Sequence, residues 1–341
     1  MIKITYRELS SLVADLDISA KMLYSFSNSV EKHYRKVALP KSNGEFRYLH
    51  VPDESLKMIQ RKIYQVLLSR ETVSVYATAY RYGGSTVKNA KPHIGREYLL
   101  KLDVKHFFDS IIQPVVMNQV FPADRYSEAN QVLLSNLCCL QGVLPQGAPT
   151  SPAISNIVMK EFDDTVGRWC RDRNISFTRY CDDMTFSWNN ANYSSDLLSF
   201  VKNELKIRGY FLNEKKTVLV KNGQRKTVTG IVVNKKVNIS SEYKRTVRQE
   251  LFYCMKYGIS SHLTHTGQDD SEDASAYAYQ LLGKVNYILC VIGPNDEFER
   301  YRDWLKAELK YITGNRMRGK CMNLQKEVFE SYPEHSEGSH T

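Results

Sequence analysis

With 341 residues, 42% of them hydrophobic, the chain can bury a sizeable core and is too apolar for a disordered protein. Its 47 Lys and Arg against 37 Asp and Glu leave a formal charge of +10, which suits a polyanionic partner. No apolar run nears the roughly 18 residues of a membrane helix, the first residues lack the apolar core of a secretory signal, and seven scattered cysteines show no metal-ligand spacing. The expectation is a cytoplasmic protein with reduced thiols and no membrane partner.

An amphipathic helix is predicted over about Tyr6 to Ser27. Next, Leu39 to Leu49 reads as a hairpin with Asn43-Gly44 at its turn. A helix over about Ser55 to Leu68 would turn Leu56, Ile59, Ile63, Val66 and Leu67 inward. Tyr98 to Leu102 reads as a buried strand ending on Asp103, with Phe107-Phe108 close behind. Leu144-Pro145-Gln146-Gly147 then forms a loop in which Gly147 permits a close backbone approach to a ligand. Ser151 can cap the helix that follows and Pro152 suits its first position, with Ile154, Val158, Phe162, Val166 and Trp169 along one face.

Two alternating runs, Ile175 to Arg179 and Met184 to Trp188, flank Tyr180-Cys181-Asp182-Asp183. That places adjacent carboxylates at the tip of a hairpin. Like charges 4 Å apart cost about 4 kcal/mol at an effective dielectric near 20, and a divalent cation removes the cost. Asp103 lies 79 positions before Asp182, so only the fold can join it to them. Thr227 to Val233, a turn at Asn234-Lys235-Lys236 and Val237 to Ile239 read as a further hairpin. From Val201 to Glu250 there are 13 Lys and Arg against 4 Glu, a net +9 interleaved with Tyr210, Phe211 and Tyr243, which suits a phosphate track. Beyond it the chain is mainly helical: Ser240 or Ser241 to Gly258, with Tyr243, Val247, Leu251 and Met255 apolar and Lys244, Arg245 and Arg248 on another face. A loop over Thr264 to Asp273 and helices over Ala274 to Val291 and Asp296 to Lys310 follow. Acidic Asp269-Asp270 and Glu272-Asp273 read as a solvated loop.

In this order, Asp103, Leu144-Pro145-Gln146-Gly147 and Tyr180-Cys181-Asp182-Asp183 resemble the motifs of reverse transcriptases. Lys41 and Arg47, in Lys-x-x-Gly-x-x-Arg, resemble finger residues that grip a triphosphate, and Leu212-Asn213-Glu214-Lys215-Lys216-Thr217 the lysine-bearing palm motif. Asn89-Ala90-Lys91-Pro92-His93, Val228-Thr229-Gly230 and the thumb-like Gly283 to Ile288 are similar to bacterial retron enzymes. Cys181 departs mildly, since many relatives carry alanine there.

The resemblance covers about residues 30 to 320. It implies an α+β right-hand polymerase fold with fingers, a palm of antiparallel sheet and packed helices, and a helical thumb. The ranges are 1–95 and 112–150 for fingers, 96–111 and 151–237 for palm, 238–325 for thumb, and 326–341 for a disordered tail. It implies Asp103, Asp182 and Asp183 as catalytic ligands of two Mg²⁺ ions. Lys41, Arg47, Phe108 as steric gate, Gln146, Gly147 and Lys216 (or Lys215) would bind the deoxynucleoside triphosphate. Asn89, His93, Val228, Thr229, Gly230, Lys244, Arg245 and Arg248 would bind nucleic acid. The implied activity is RNA-directed DNA polymerisation on a structured noncoding RNA, primed from an internal guanosine 2′-hydroxyl and yielding branched msDNA. The implied setting is antiphage defence with a separate effector protein and a host RNase H. A group II intron-like reverse transcriptase and an inactive RNA-binding scaffold are the alternatives.

Overall fold

The computed structural model describes residues 5–40, 44–189, 193–265 and 274–330, with backbone alone at His265 and from 315 onward. The chain divides into two compact units, Met1–Lys236 and Val237–Thr341. Among the described residues no helix is long and apolar enough to cross a membrane.

The first unit opens with α1 (Leu9–Leu16) and α2 (Ala20–Asn28), not one helix. Asp17 takes a left-handed backbone (φ 53°) that closes α1, and the Ser19 hydroxyl accepts from the Met22 amide to open α2. Strands β1 (Tyr34–Pro40) and β2 (Phe46–Pro52) pair antiparallel. Lys41, Ser42 and Asn43 of their connection lie outside the described residues, and Gly44 has φ 82°. The Asp53 carboxylate caps α3 (Glu54–Ile63), which widens into a π turn at Tyr64–Leu68. Its predicted apolar face is buried, Val66 only partly. Short α4 (Thr86–Ala90) and a 3₁₀ turn (Lys91–His93) lead to β3 (Tyr98–Asp103), then α5 (Gln113–Val115) and α6 (Glu128–Cys138).

The helix expected after the Leu-Pro-Gln-Gly loop is two pieces, α7 (Ser151–Val158) and α8 (Lys160–Arg171), meeting at Met159. Ser151 is no cap: it is the first helical residue, and its hydroxyl donates to the Pro145 carbonyl at 2.6 Å, tying the loop to the helix. Strands β4 (Ser176–Tyr180) and β5 (Asp183–Trp188), helix α9 (Ser194–Ile207) and strand β6 (Val218–Val220) complete a four-stranded antiparallel sheet ordered β4-β5-β3-β6.

Register sorts the sheet's faces. Phe177 lies opposite Phe186, Leu100 opposite Phe186, and Leu102 opposite Met184, so one face is apolar. It is buried together with Ile154 of α7 and Phe162 and Val166 of α8, and the Phe177 and Phe186 rings stack 4.7 Å apart. The other face carries Thr178, Thr185, Ser187, Lys101, Asp103 and Asp183. The alternation suggested half-buried strands, yet Thr178, Thr185 and Ser187 are buried too. Thr178 and Ser187 both meet the buried ring of His93.

The last hairpin differs from expectation. β7 (Thr227–Val228) pairs with β8 (Ile231–Val232) about a turn at Thr229-Gly230, both with positive φ (45° and 82°). Glycine adopts that conformation freely, so the chain turns there and not at Asn234, and Val237 to Ile239 form no named strand.

In the second unit the Ser240 hydroxyl caps α10 (Ser241–Tyr257), and Gly258 (φ 85°) ends it. Val247, Leu251 and Cys254 are buried, whereas Met255 is half exposed: the apolar stripe runs i, i+4, i+7 and so passes through Cys254. Residues Ile259–His265 form α11, so Thr264 and His265 are helical; Asp269-Asp270 and Glu272-Asp273 lie outside the described residues. Helices α12 (Ala274–Ile292) and α13 (Asp296–Glu330) follow. Residues 326–330, expected in the tail, belong to α13, while Ser331 to Thr341 lie outside the described residues. With helices segregated from an antiparallel sheet, the class is α+β.

Candidate active site

Antiparallel register sets Asp103 at the end of β3 directly opposite Asp183 at the start of β5. The Val104 amide donates to the Asp182 carbonyl at 3.2 Å, closing the gap to the hairpin tip. Tyr180 pairs with Asp183, so the tip is Cys181-Asp182, with Cys181 at φ 61°. The 79-residue separation in sequence is thus reduced to one rung of a sheet.

The Asp103 carboxylate accepts from the Lys216 ammonium at 2.8 Å and from the Asn213 side-chain amide at 3.1 Å. The Asn213 amide also donates to the Asp103 carbonyl at 2.8 Å, which fixes the segment carrying Lys216 beside β3. Asp183 is open to solvent at its tip, yet burial first, then the charges of Asp182 and Asp103, push its carboxyl up to about 6; Lys216 and Lys101 pull the other way. The hydrogen bond to Asp103 holds Lys216 above the ordinary lysine range. Among the described residues no group of three or more His, Cys, Asp or Glu side chains is arranged to hold a metal ion. Asp103, Asp182 and Asp183 are nonetheless all-oxygen donors brought to one end of the sheet, the donor type a hard divalent cation takes.

A buried charge network supports the tip from the apolar face. The Arg179 guanidinium donates to both Asp163 oxygens (2.7 and 2.6 Å), to the Asn156 side-chain oxygen (3.1 Å) and to the Cys181 carbonyl (2.9 Å). Both charged side chains are fully buried. Burial pushes the Asp163 carboxyl up while Arg179 draws it back. Sequence reasoning missed this pair, although a signal existed: Arg179 falls in phase with Phe177, and Asp163 lies three before buried Val166. A charge on each of two core-facing phases requires a mate.

The Leu-Pro-Gln-Gly loop docks on β2. The His50 amide donates to the Gln146 carbonyl at 2.8 Å, and Arg47 Nε donates to the Gln146 side-chain oxygen at 3.0 Å. Gly147 has φ 125°, and a Cβ there would lie 2.7 Å from the His50 carbonyl oxygen, so the loop needs glycine at this point to pack on the backbone of β2. Lys41 lies outside the described residues. Phe107 and Phe108 meet edge to face at 5.3 Å, and both are buried, Phe108 the more open.

Of the residues expected to touch nucleic acid, Asn89 and His93 are interior. The Asn89 side-chain oxygen accepts from the Thr78 hydroxyl at 2.7 Å, and its amide reaches the Thr229 hydroxyl at 3.4 Å. His93 Nδ1 lies 2.7 Å from the Ser187 hydroxyl and Nε2 2.9 Å from that of Thr178. Because the Thr178 hydroxyl donates to the Asn89 carbonyl (3.3 Å), it accepts from Nε2–H, leaving Nδ1 to accept from Ser187. Burial holds the ring neutral, its pKa lowered to about 3. Val228 is buried, Thr229 partly so, and Gly230 is exposed. Lys244 donates to Asn238, Arg248 forms a two-point pair with Glu297 (2.6 and 2.8 Å), and Arg245 is exposed.

A family model described as "Reverse transcriptase (RNA-dependent DNA polymerase)" matches residues 39–240. The chain is 30% identical over 304 residues to the retron Mx65 reverse transcriptase of Myxococcus xanthus, covering 83% of this chain and 68% of that one. It is 34% identical over 236 residues to the retron Ec83 reverse transcriptase of Escherichia coli, covering 64% and 75%. Among solved structures, a telomerase from Candida albicans in complex with a telomeric RNA fragment aligns at TM-score 0.44 and 13% identity, over 86% of this chain and 66% of that one.

Proposed function

This chain belongs to the retron reverse transcriptases and is an RNA-directed DNA polymerase of the right-hand fold, and we propose that it copies a structured noncoding RNA into branched, RNA-linked single-stranded DNA. The observation that supports a working polymerase most directly is the pairing of Asp103 with Asp183 beside Asp182. An inactive scaffold has no use for three mutually repelling carboxylates.

In this reading Asp103, Asp182 and Asp183 hold two Mg²⁺ ions, which would neutralise charge on the attacking and leaving oxygens when bound. Lys216, Arg47 and Lys41 carry positive charge toward the triphosphate. Gln146, braced by Arg47 and the His50 amide, positions the sugar, and Phe108 lies under it as the gate against a 2′-hydroxyl. Asn89 and His93 serve from the interior by holding the sheet and the Val228-Thr229-Gly230 turn in place, with the exposed Gly230 free to meet RNA. Lys244, Arg245 and Arg248 form the thumb's contribution, Arg245 being the readiest to contact phosphate. Priming from a guanosine 2′-hydroxyl, msDNA as product, a separate effector, host RNase H and antiphage defence complete the proposal, with residues 1–95 and 112–150 as fingers, 96–111 and 151–237 as palm, and 238–325 as thumb.

Asp182→Asn should lower primer extension by about 10³-fold or more, since several kcal/mol of transition-state stabilisation are removed, while RNA binding persists in a gel-shift assay. Full extension by that variant would overturn the assignment. Phe108→Ala should admit ribonucleotides in single-nucleotide incorporation; unchanged sugar discrimination would move the gate elsewhere.

A further inference from the structure

At the end of the sheet opposite the carboxylates lies an open pocket of about 1080 Å³. Its walls come from residues between 75 and 96, the start of β4, the end of α8, and Asn189 and Tyr193. Arg81, Lys88, Arg96, Arg171 and Arg173 all line it, and no Asp or Glu does so among the described residues. Arg81 and Arg96 are held by neutral oxygens, those of Ser74 and Ser176, and Arg173 lies over the Trp169 ring. Among the described residues Arg171 meets Asp172 alone, at 3.8 Å in open solvent. These charges are therefore concentrated in a concavity and left largely unneutralised.

The pocket also has an aromatic element. Tyr82 on the rim is 103% exposed, so its ring packs on nothing. The floor is Tyr76, which lies against Phe177 (5.4 Å between centroids) and against Gly167, where a Cβ would stand 1.9 Å from the ring. Tyr82 is followed by Gly83-Gly84; Gly84 packs on the Thr78 carbonyl, so the loop carrying Tyr82 is anchored. A fixed loop, a free aromatic face and unpaired cations around a concavity are the elements that bind single-stranded nucleic acid. An acidic protein surface would account for the cations but gives Tyr82 no flat partner.

We propose that this pocket is a second RNA site, which takes the phosphates of an unpaired stretch on Lys88, Arg81, Arg96, Arg171 and Arg173 and stacks a base on Tyr82. It rests on the reading of the chain as an enzyme that handles RNA, but it is separate from the catalytic cleft. From Ser176 to Tyr180, next to the hairpin tip, the strand spans about 13 Å at roughly 3.3 Å per residue. A strand of RNA could thus be held at one end of the sheet while another part of the same molecule is copied at the other.

The test uses the full chain, a fluorescein-labelled 20-nucleotide single-stranded RNA of mixed sequence, and a short DNA-primed RNA duplex. Lys88→Gln with Arg171→Gln should weaken binding of the probe about tenfold and flatten its log-log salt dependence by about 1.4, given a slope near 0.7 for each of two phosphate contacts. Tyr82→Ala, which removes no packing, should weaken binding at least fivefold with the salt slope unchanged. Extension of the short duplex should equal that of the unaltered chain in both variants. Unchanged affinity and slope would overturn the proposal, as would losses of binding and extension in parallel. Failure of the unaltered chain to extend the duplex would count against the polymerase reading alone, because probe binding is measured separately.

Discussion

The two faces of β4 bury polar side chains in opposite ways. On the apolar face Arg179 is a full charge, enclosed by Asp163, Asn156 and the Cys181 carbonyl. On the other face Thr178 is neutral and meets a neutral His93. An enclosed ion pair is strongly directional but fails badly when one partner is lost. A neutral network is weaker and degrades gradually. The charged anchor stands next to the hairpin tip that carries Asp182, where directionality matters; the neutral one joins the sheet to the segment around Asn89.

The sharpest way to break this contrast is Arg179→Met, which strands a buried carboxylate and should cost about 3–5 kcal/mol in urea denaturation, with extension falling as the tip loosens. Arg179→Met combined with Asp163→Leu should recover most of the stability but not the activity, because the Cys181 carbonyl still lacks its donor. Equal activity in the double variant and the unaltered chain would show that the tip needs no such brace.

Acid probes the neutral side. The folded-state pKa of His93 lies below its unfolded value of 6.5, so the unfolded chain takes up the proton first as pH falls. Its contribution is full above about 6.5 and is lost progressively down to about 3. At pH 5 this amounts to about 2 kcal/mol relative to pH 7. The fall in stability between pH 7 and 5 should be smaller by that amount in His93→Gln; an identical fall would place the acid sensitivity elsewhere. The smallest effect is expected from Thr178→Val, which leaves His93 Nε2 without its acceptor and should cost about 1 kcal/mol in the same denaturation assay.

Much of the site could be read from residue order because strand alternation dictates where a carboxylate at a strand end must point. Asp103 ends one run and Asp183 begins another, and antiparallel pairing does the rest. Other features follow from tertiary packing, which local pattern does not encode. The polar phase of β4 and β5 looked solvent-facing because nothing in Thr178 or Ser187 announces His93, more than 80 positions away. The turn at Thr229-Gly230 was displaced in the reading because Asn234-Lys235-Lys236 is the more polar stretch, while positive φ at Gly230 decides the matter. The need for glycine at 147 is plain from the Leu-Pro-Gln-Gly run, but that the backbone of His50 packs against it is not. In each case the type of constraint was legible and its partner was not.

Cys181 sits at the turn of the Tyr180-to-Asp183 hairpin, and yet its side chain is buried. Burial first, then the Asp182 charge, push its thiol up to about 12, so almost none is thiolate at neutral pH. Alkylating reagents and peroxide attack the thiolate, and they should pass over this cysteine. A sulfur can thus stand in the hairpin turn with little of the thiolate character that invites oxidation.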